Sequence, residues 1–109
     1  MKTLIKNCRL VSPDLDLADA SILIEAGKIT GIFTASSLPA ADRTVDAAGL
    51  TAMPGFVDVH CHGRNNFDFC DALVDGVNTI AREKLAEGVT TLLPTTLTLP
   101  EADLAATLK

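Results

Sequence analysis

The chain has 109 residues and a formal net charge of −5 at pH 7, a length that suffices for one ordinary domain. Apolar residues make up 48% of the sequence, which permits a buried core and argues against a disordered chain. The acidic balance argues against nucleic acid as a partner, because proteins that bind nucleic acid normally present a basic face.

The cysteine pattern and the hydropathy indicate the compartment. Cys8, Cys61 and Cys70 are odd in number and widely spaced, so they fit neither a disulfide framework nor a Cys-x-x-Cys zinc site. Free thiols are typical of a reducing compartment. The first residues lack the apolar core of a signal peptide, and no stretch is long enough to span a membrane. We therefore expect a soluble, cytoplasmic protein without a membrane partner.

The first half of the chain predicts a small region rich in strands. Residues 2–12 form the first predicted strand, which Ser12-Pro13-Asp14 ends. Residues 20–25 and 28–33 predict a hairpin around Ala26-Gly27, since glycine accepts a positive φ. A surface loop over residues 35–43 and two short extended pieces, residues 44–46 and 50–53, complete this region.

The second half predicts a strand, a helix and a second strand. The first strand, residues 54–63, leads into a polar loop over residues 63–71. The helix runs from residue 73 or 75 to 87, with its apolar positions at helical spacing, and Gly88 is suited to its C-terminal cap. Residues 89–93 are a compact apolar and β-branched run that Pro94 ends. This order is a βαβ unit, whose two strands should be parallel.

A second helix is expected to begin at Thr98-Leu99-Pro100-Glu101, where Thr98 and Glu101 have the spacing of a capping box. The sequence given ends at Lys109, within that predicted helix. Two parallel strands cannot bury both faces or pair both edges. We therefore expect the chain to be the first part of a larger α/β protein, such as a (β/α)₈ barrel of about 250 residues.

The strand over residues 54–63 carries the only two histidines of the chain, His60 and His62. Because side chains alternate along a strand, both imidazoles are predicted on one face together with Phe56 and Asp58, and Cys61 on the other. Two imidazoles at the carboxyl end of a buried strand are candidate metal ligands. Asp58 could orient an imidazole as a partner behind the metal, or bond to local backbone, and the pattern leaves both readings open.

Two ligands do not complete a catalytic metal site, which normally has at least three ligands from the protein. Asp68, Asp71 and Asp75 could contribute, but carboxylates in loops and at helix starts are more often solvated or capping groups. Cys61 is expected to be packed rather than metal-bound. A His-x-His pair is also compatible with two hydrogen-bonded histidines that bind no metal.

The segment Pro54–Gly63 resembles the opening strand motif of the amidohydrolase superfamily. Residues 25–29 and 45–49 resemble the β-sandwich region that precedes the barrel in those enzymes. Residues 88–98 and the loop over residues 63–71 are similar to the N-acetylglucosamine-6-phosphate deacetylases of that superfamily. The resemblance implies strands of a small β-sandwich subdomain over residues 1–53, followed by the first βαβα portion of a TIM-type barrel over residues 54–109.

The same resemblance implies roles for particular residues. His60 and His62 match the His-x-His metal ligands, with one or two divalent ions, zinc or iron, in the full-length enzyme. Gly63, Asn65 and Asn66 are candidates for a loop that contacts substrate. The family's remaining ligands and its catalytic aspartate are expected beyond Lys109, so no catalytic residue is assigned within the chain. The implied partner is a phosphorylated amino sugar, and the full-length protein could form a homodimer.

Two other functions remain open at this point. One keeps the superfamily and changes the substrate, as in a dihydroorotase, an adenine deaminase or an N-acyl amino acid hydrolase. The other is a truncated module that binds metal through two histidines and catalyses nothing. On any of these readings, the chain alone is expected to be inactive.

Overall fold

The computed structural model describes residues 1–34 and 36–109. The loop predicted over residues 35–43 begins at Ala35, which lies outside the described residues. The chain divides into two compact units, Met1–Pro54 and Gly55–Lys109. No helix within the described residues is long and apolar enough to cross a membrane.

The first unit is built on one five-stranded sheet. Its strands are β1 (Lys2–Ser12), β2 (Leu15–Glu25), β3 (Lys28–Phe33), β4 (Arg43–Asp46) and β5 (Thr51–Ala52). β1 is antiparallel to β2, and β2 is antiparallel to β3. β4 and β5 pair in parallel with successive parts of β1. The predicted strands are therefore confirmed, and β2 starts earlier than expected because its pairing with β1 continues to Ser12 and Leu15.

Two local features shape this sheet. Ala26 and Gly27 join β2 to β3 with φ values of 51° and 76°, the pair of positive values that a two-residue type I′ turn requires. The predicted hairpin is thus confirmed. In β1 the register passes from Ile5 to Cys8 while its partner β2 advances only from Ile22 to Ala20. This extra residue in β1 is a β-bulge.

The buried core of the first unit lies against the centre of the sheet. Small and aliphatic side chains form it. Its buried members are Cys8, Leu10, Ala20, Ile22 and Ala47.

The second unit contains the predicted βαβ unit. It comprises β6 (Phe56–Cys61), β7 (Gly63–Arg64), β8 (Phe67–Asp68), α1 (Val74–Ala86), β9 (Val89–Pro94) and α2 (Glu101–Thr107), with a 3₁₀ turn, Phe69–Asp71, before α1. β6 and β9 are parallel, and α1 lies between them in the chain, which confirms the prediction. One parallel strand pair is far from a closed barrel, so the TIM-type barrel remains a prediction.

Helix α1 packs on this strand pair through a single fully buried side chain. Ile80 has no exposed surface and forms a buried cluster with Cys61 and Phe69. Val77 and Leu85, which the helical period placed on the same face, are 42% and 61% exposed. Gly88 ends the helical segment with a φ of 88°, as expected of a C-terminal glycine.

The prediction of a capping box at Thr98 and Glu101 is wrong. The residue that precedes α2 is Pro100, with φ −53° and ψ 146°, and no side chain caps the helix. Because the extended backbone at Pro100 ends immediately before the helix, Thr98 lies two positions too early to be its cap. A capping box is formed instead at the 3₁₀ turn, between Asp68 and Asp71.

Candidate metal centre

The carboxyl end of β6 carries a β-bulge. Asp58 pairs with Leu92 and Cys61 pairs with Pro94, so β6 advances three residues while β9 advances two. The extra residue reverses the alternation of side chains along β6. Accordingly, Asp58 contacts α1 through Lys84, and Cys61 contacts α1 in the cluster with Ile80.

The bulge sets the direction of the two histidines. Since Cys61 faces α1, its neighbours His60 and His62 leave the strand on the side away from the helix. The prediction that Asp58 shares a face with the histidines is therefore wrong, because one inserted residue separates them. The prediction that Cys61 is packed is confirmed, since its side chain is 5% exposed.

The two imidazoles meet at the end of β6. Their Nε2 atoms lie 3.0 Å apart, and the rings are nearly perpendicular, with centroids 4.8 Å apart. His60 is exposed and His62 is half-buried. The pattern therefore brings both rings to one point, as the sequence predicts.

A carbonyl group fixes the orientation of the His62 ring. Nδ1 of His62 lies 3.0 Å from the backbone oxygen of Thr95, just beyond β9. A carbonyl oxygen only accepts hydrogen bonds, so Nδ1 carries the proton and donates it. In the neutral ring, Nε2 of His62 then holds a free lone pair directed at Nε2 of His60. A hydrogen bond from the distal ring nitrogen to a carbonyl is typical of histidines that bind metals.

Asp58 supports the backbone of His60 rather than its ring. Its Oδ1 accepts a hydrogen bond from the backbone N–H of His60, at 3.2 Å, and its Oδ2 lies 2.9 Å from Nζ of Lys84. Of the two readings left open, the structure supports the bond to local backbone. The ion pair is partly sheltered, with the Lys84 and Asp58 side chains 17% and 23% exposed.

The charge on Asp58 follows from these partners. The Lys84 ammonium, and after it the His60 N–H, hold the pKa of the Asp58 carboxyl below its ordinary value. The carboxylate in turn raises the pKa of Lys84. Asp58 is therefore ionised near neutral pH, which makes its hydrogen bond to His60 charge-assisted.

The polar loop predicted over residues 63–71 contains a miniature hairpin, formed by β7 and β8. Asn65 and Asn66, with φ values of 54° and 62°, form a two-residue turn between β7 and β8, and asparagine tolerates such values better than most residues. Gly63 lies so close to the backbone of Phe67 that a Cβ atom would collide with it. The backbone conformation of the hairpin therefore explains the residue type at all three positions. Their contact with a substrate stays a prediction.

The histidine pair lacks further ligands within the described residues. There, no group of three or more His, Cys, Asp or Glu side chains is arranged to hold a metal ion. Asp68 and Asp71 are occupied in the capping box of the 3₁₀ turn. The donor set thus fits two positions of a metal site and no more, which is less than a catalytic centre requires.

Sequence reasoning did not single out Lys84 or Thr95. Thr95 follows the second of two parallel strands, so the rule that sites form at carboxyl strand ends could have indicated it. Lys84 could not be found in this way, because its partner Asp58 faces α1 only as a result of the bulge.

No family model matches the chain, but individual proteins do. It is 39% identical over 100 residues to the L-hydantoinase of Paenarthrobacter aurescens, covering 83% of this chain and 22% of that enzyme. It is 35% identical over 91 residues to the N-acetylglucosamine-6-phosphate deacetylase of Vibrio furnissii, covering 83% of this chain and 23% of that one. The chain thus spans less than a quarter of the length of these curated relatives, which are members of the amidohydrolase superfamily.

Solved structures are similar over nearly the whole chain. A variant of the Mycobacterium smegmatis N-acetylglucosamine-6-phosphate deacetylase, in complex with N-acetylglucosamine 6-phosphate, matches 98% of this chain and 28% of its own, with a TM-score of 0.83 and 26% identity. The deacetylase of Pasteurella multocida matches 99% of this chain and 29% of its own, with a TM-score of 0.89 and 21% identity. The second likeness concerns the fold alone. The chain matches the N-terminal region of amidohydrolase proteins.

Proposed function

We propose that this chain is the N-terminal part of a metal-dependent amide hydrolase of the amidohydrolase superfamily, and that it supplies the first two ligands of the metal centre. The observation that carries the proposal is the convergence of the two Nε2 atoms, 3.0 Å apart at a strand end. The hydrogen bond from His62 Nδ1 to Thr95 supports it, because that bond leaves the lone pair of Nε2 available. The similarity to hydrolases of this superfamily supports it independently.

The specific reaction that we propose is removal of the acetyl group from N-acetylglucosamine 6-phosphate, which yields glucosamine 6-phosphate and acetate. The similarity in fold to the Mycobacterium smegmatis deacetylase over 98% of the chain supports this choice. A divalent ion such as zinc or iron, when bound, would polarise the amide carbonyl and acidify water. His60 and His62 would hold that ion, Asp58 would hold the His60 backbone, and Thr95 would orient the His62 ring. We also propose that the full-length protein is located in the cytoplasm and forms a homodimer.

A second candidate is hydrolysis of a cyclic amide. It is favoured by the 39% identity to an L-hydantoinase, although the solved structure of an L-hydantoinase from Arthrobacter aurescens matches with a TM-score of only 0.57. Both candidates require the same two histidines, so the histidines do not discriminate between them.

The two candidates differ in substrate, and a substrate panel with the full-length protein tests them. We expect acetate release from N-acetylglucosamine 6-phosphate and little turnover of hydantoins, dihydroorotate or N-acyl amino acids. Rapid turnover of a cyclic amide, with none on the phosphosugar, would reverse the order. Stoichiometric metal without turnover of any substrate in the panel would favour the non-catalytic module.

The histidine assignment is tested separately, by metal analysis of His60→Ala and His62→Ala. Each variant is expected to lose most of its bound metal and of its activity. Asn66→Gly is a matched control for metal content alone, because glycine keeps the positive φ of that turn while Asn66 itself is a candidate for substrate contact. Unchanged metal content in both histidine variants would contradict the assignment.

A further inference from the structure

Lys84 and Asp58 connect helix α1 to the bulge that directs the histidines. Lys84 lies in the last turn of α1, and its Nζ is 2.9 Å from Oδ2 of Asp58. The other carboxylate oxygen of Asp58 accepts the backbone N–H of His60. One carboxylate thus joins a helix side chain to the main chain of a candidate metal ligand.

The hydrogen bond to His60 lies inside the irregular part of β6. The strand register pairs Asp58 and Cys61 with β9 and passes over Val59 and His60. His60 therefore has no partner in the regular pairing of β6 with β9. The Asp58 carboxylate accepts the backbone N–H of His60 instead. A strand held only at either side of a bulge can shift its extra residue, and a shift by one position would turn the imidazoles to the other face.

We propose that Lys84 is a positioning residue for the candidate metal centre. By fixing the carboxylate of Asp58, it holds the bulge in the one register that directs His60 and His62 to a common point. The inference rests on the proposed function for its metal-binding consequence, while its structural part concerns the backbone of His60 alone. Lys84 acts on His60 through Asp58, whose Oδ2 its ammonium group contacts.

The substitutions Lys84→Met and Lys84→Arg test this role in the full-length protein. Methionine keeps much of the length and apolar stem of lysine but lacks its charge, and arginine restores the charge. Arg82→Met is the matched control, since Arg82 is an exposed cation on the same helix, without an ion pair among the described residues. Asp58→Asn is the complementary variant, because its side-chain oxygen still accepts the His60 N–H while the ion pair is lost.

Two readouts are measured for each variant. The first is the Kd for Zn²⁺, obtained by competition with a chelator, and the second is amide hydrogen exchange at His60 in the metal-free protein. We expect Lys84→Met to raise the Kd by about 10-fold or more and to accelerate exchange at His60. Lys84→Arg and Arg82→Met should stay near the wild-type values, and Asp58→Asn should fall between.

The two readouts separate failure of the inference from failure of the proposed function. If Lys84→Met matches Arg82→Met in both Zn²⁺ affinity and His60 exchange, the positioning role is wrong. If Zn²⁺ binding does not depend on His60 and His62 at all, the proposed function fails, and His60 exchange alone then decides whether Lys84 holds the bulge. Should Lys84→Met fold poorly, the same comparison is made with Asp58→Asn and Lys84→Arg.

Discussion

The side chains of Asp58 and Cys61 contact the same helix, although an odd number of positions separates them along one strand. In a regular strand, residues three apart point to opposite faces. The single residue inserted between the two restores them to one face and sends the intervening His60, with His62, to the other. The face of β6 that carries the two histidines is therefore set by an irregularity of the backbone.

The tautomers of the two histidines provide the first prediction. In the metal-free protein with both rings neutral, His62 should carry its proton on Nδ1, because Nδ1 donates to the Thr95 carbonyl. His60 should carry its proton on Nε2, because the lone pair of His62 Nε2 is its acceptor at 3.0 Å. Long-range ¹H–¹⁵N correlation spectra distinguish these forms directly. His60 serves as the internal control, and an Nε2-protonated His62 would contradict the structure.

The same residues show how far the sequence predicts the site. Alternation was enough to bring His60 and His62 together, because the two residues are two positions apart and the irregularity between Asp58 and Cys61 leaves both of them on the side opposite Cys61. It failed for Asp58, since the pairing of β6 with β9 decides where an extra residue is placed, and no local pattern reports that pairing. The ion pair with Lys84 was hidden for the same reason.

The elements were easier to predict than their ends. Apolar period and turn residues indicated α1 and the strands on either side of it, because burial of one face dominates their stability. The start of α2 depends on one backbone torsion at Pro100, and spacing alone selected Thr98 incorrectly. In the loop after β6, Asn65 and Asn66 form a turn that requires positive φ at both positions. The dipeptide Asn-Asn indicates such a turn less strongly than Asn-Gly does.

The contact between α1 and β6 leads to a prediction on stability. Ile80 is fully buried in a cluster with Cys61 and Phe69, and Leu92 packs against this cluster. Ile80→Ala should lower the free energy of unfolding by about 2–5 kcal/mol, because it removes apolar contacts and leaves a cavity. Val77→Ala, at a position 42% exposed on the same helix, should change it by no more than about 0.5 kcal/mol. Urea denaturation of both variants measures the difference, and equal effects would show that α1 packs differently.

The loop candidate Gly63 leads to a third prediction. Gly63→Ala places a methyl group against the backbone of Phe67 and Asp68 in the paired strand β8. Backbone atoms cannot move aside as a flexible side chain can, so the free energy of unfolding should fall by about 1–3 kcal/mol. Arg64→Ala removes only the exposed ion pair with Glu87 and should cost less than about 1 kcal/mol.

Thermal unfolding of the two variants under identical conditions provides this comparison. If Gly63→Ala is as stable as Arg64→Ala but loses substrate affinity, the glycine serves substrate contact rather than hairpin geometry. That result would support its original assignment to the substrate loop.

The last prediction concerns the acid dependence of the first unit. The pKa of the Asp46 carboxyl is held below its ordinary value, first by the side-chain amide of Asn7 and then by the backbone N–H of Ala48. The Asn7 contact, at 2.9 Å, joins the bulge of β1 to β4. Because the folded pKa is lower than the unfolded one, Asp46 contributes stability above about pH 4, and this contribution is lost as the pH falls through the folded pKa.

Asn7→Gly tests the cause of this shift. Glycine keeps the positive φ of residue 7, which is 62°, while it removes the amide that bonds to Asp46. The pKa of Asp46, followed by NMR of its carboxyl carbon, should move up toward its ordinary value. Thermal midpoints should fall less steeply below pH 4 in Asn7→Gly than in the wild type, because less stability then depends on the ionised carboxylate. An unchanged pKa would mean that the Ala48 N–H and the Lys6 ammonium, 3.6 Å from Asp46, hold the carboxylate without Asn7.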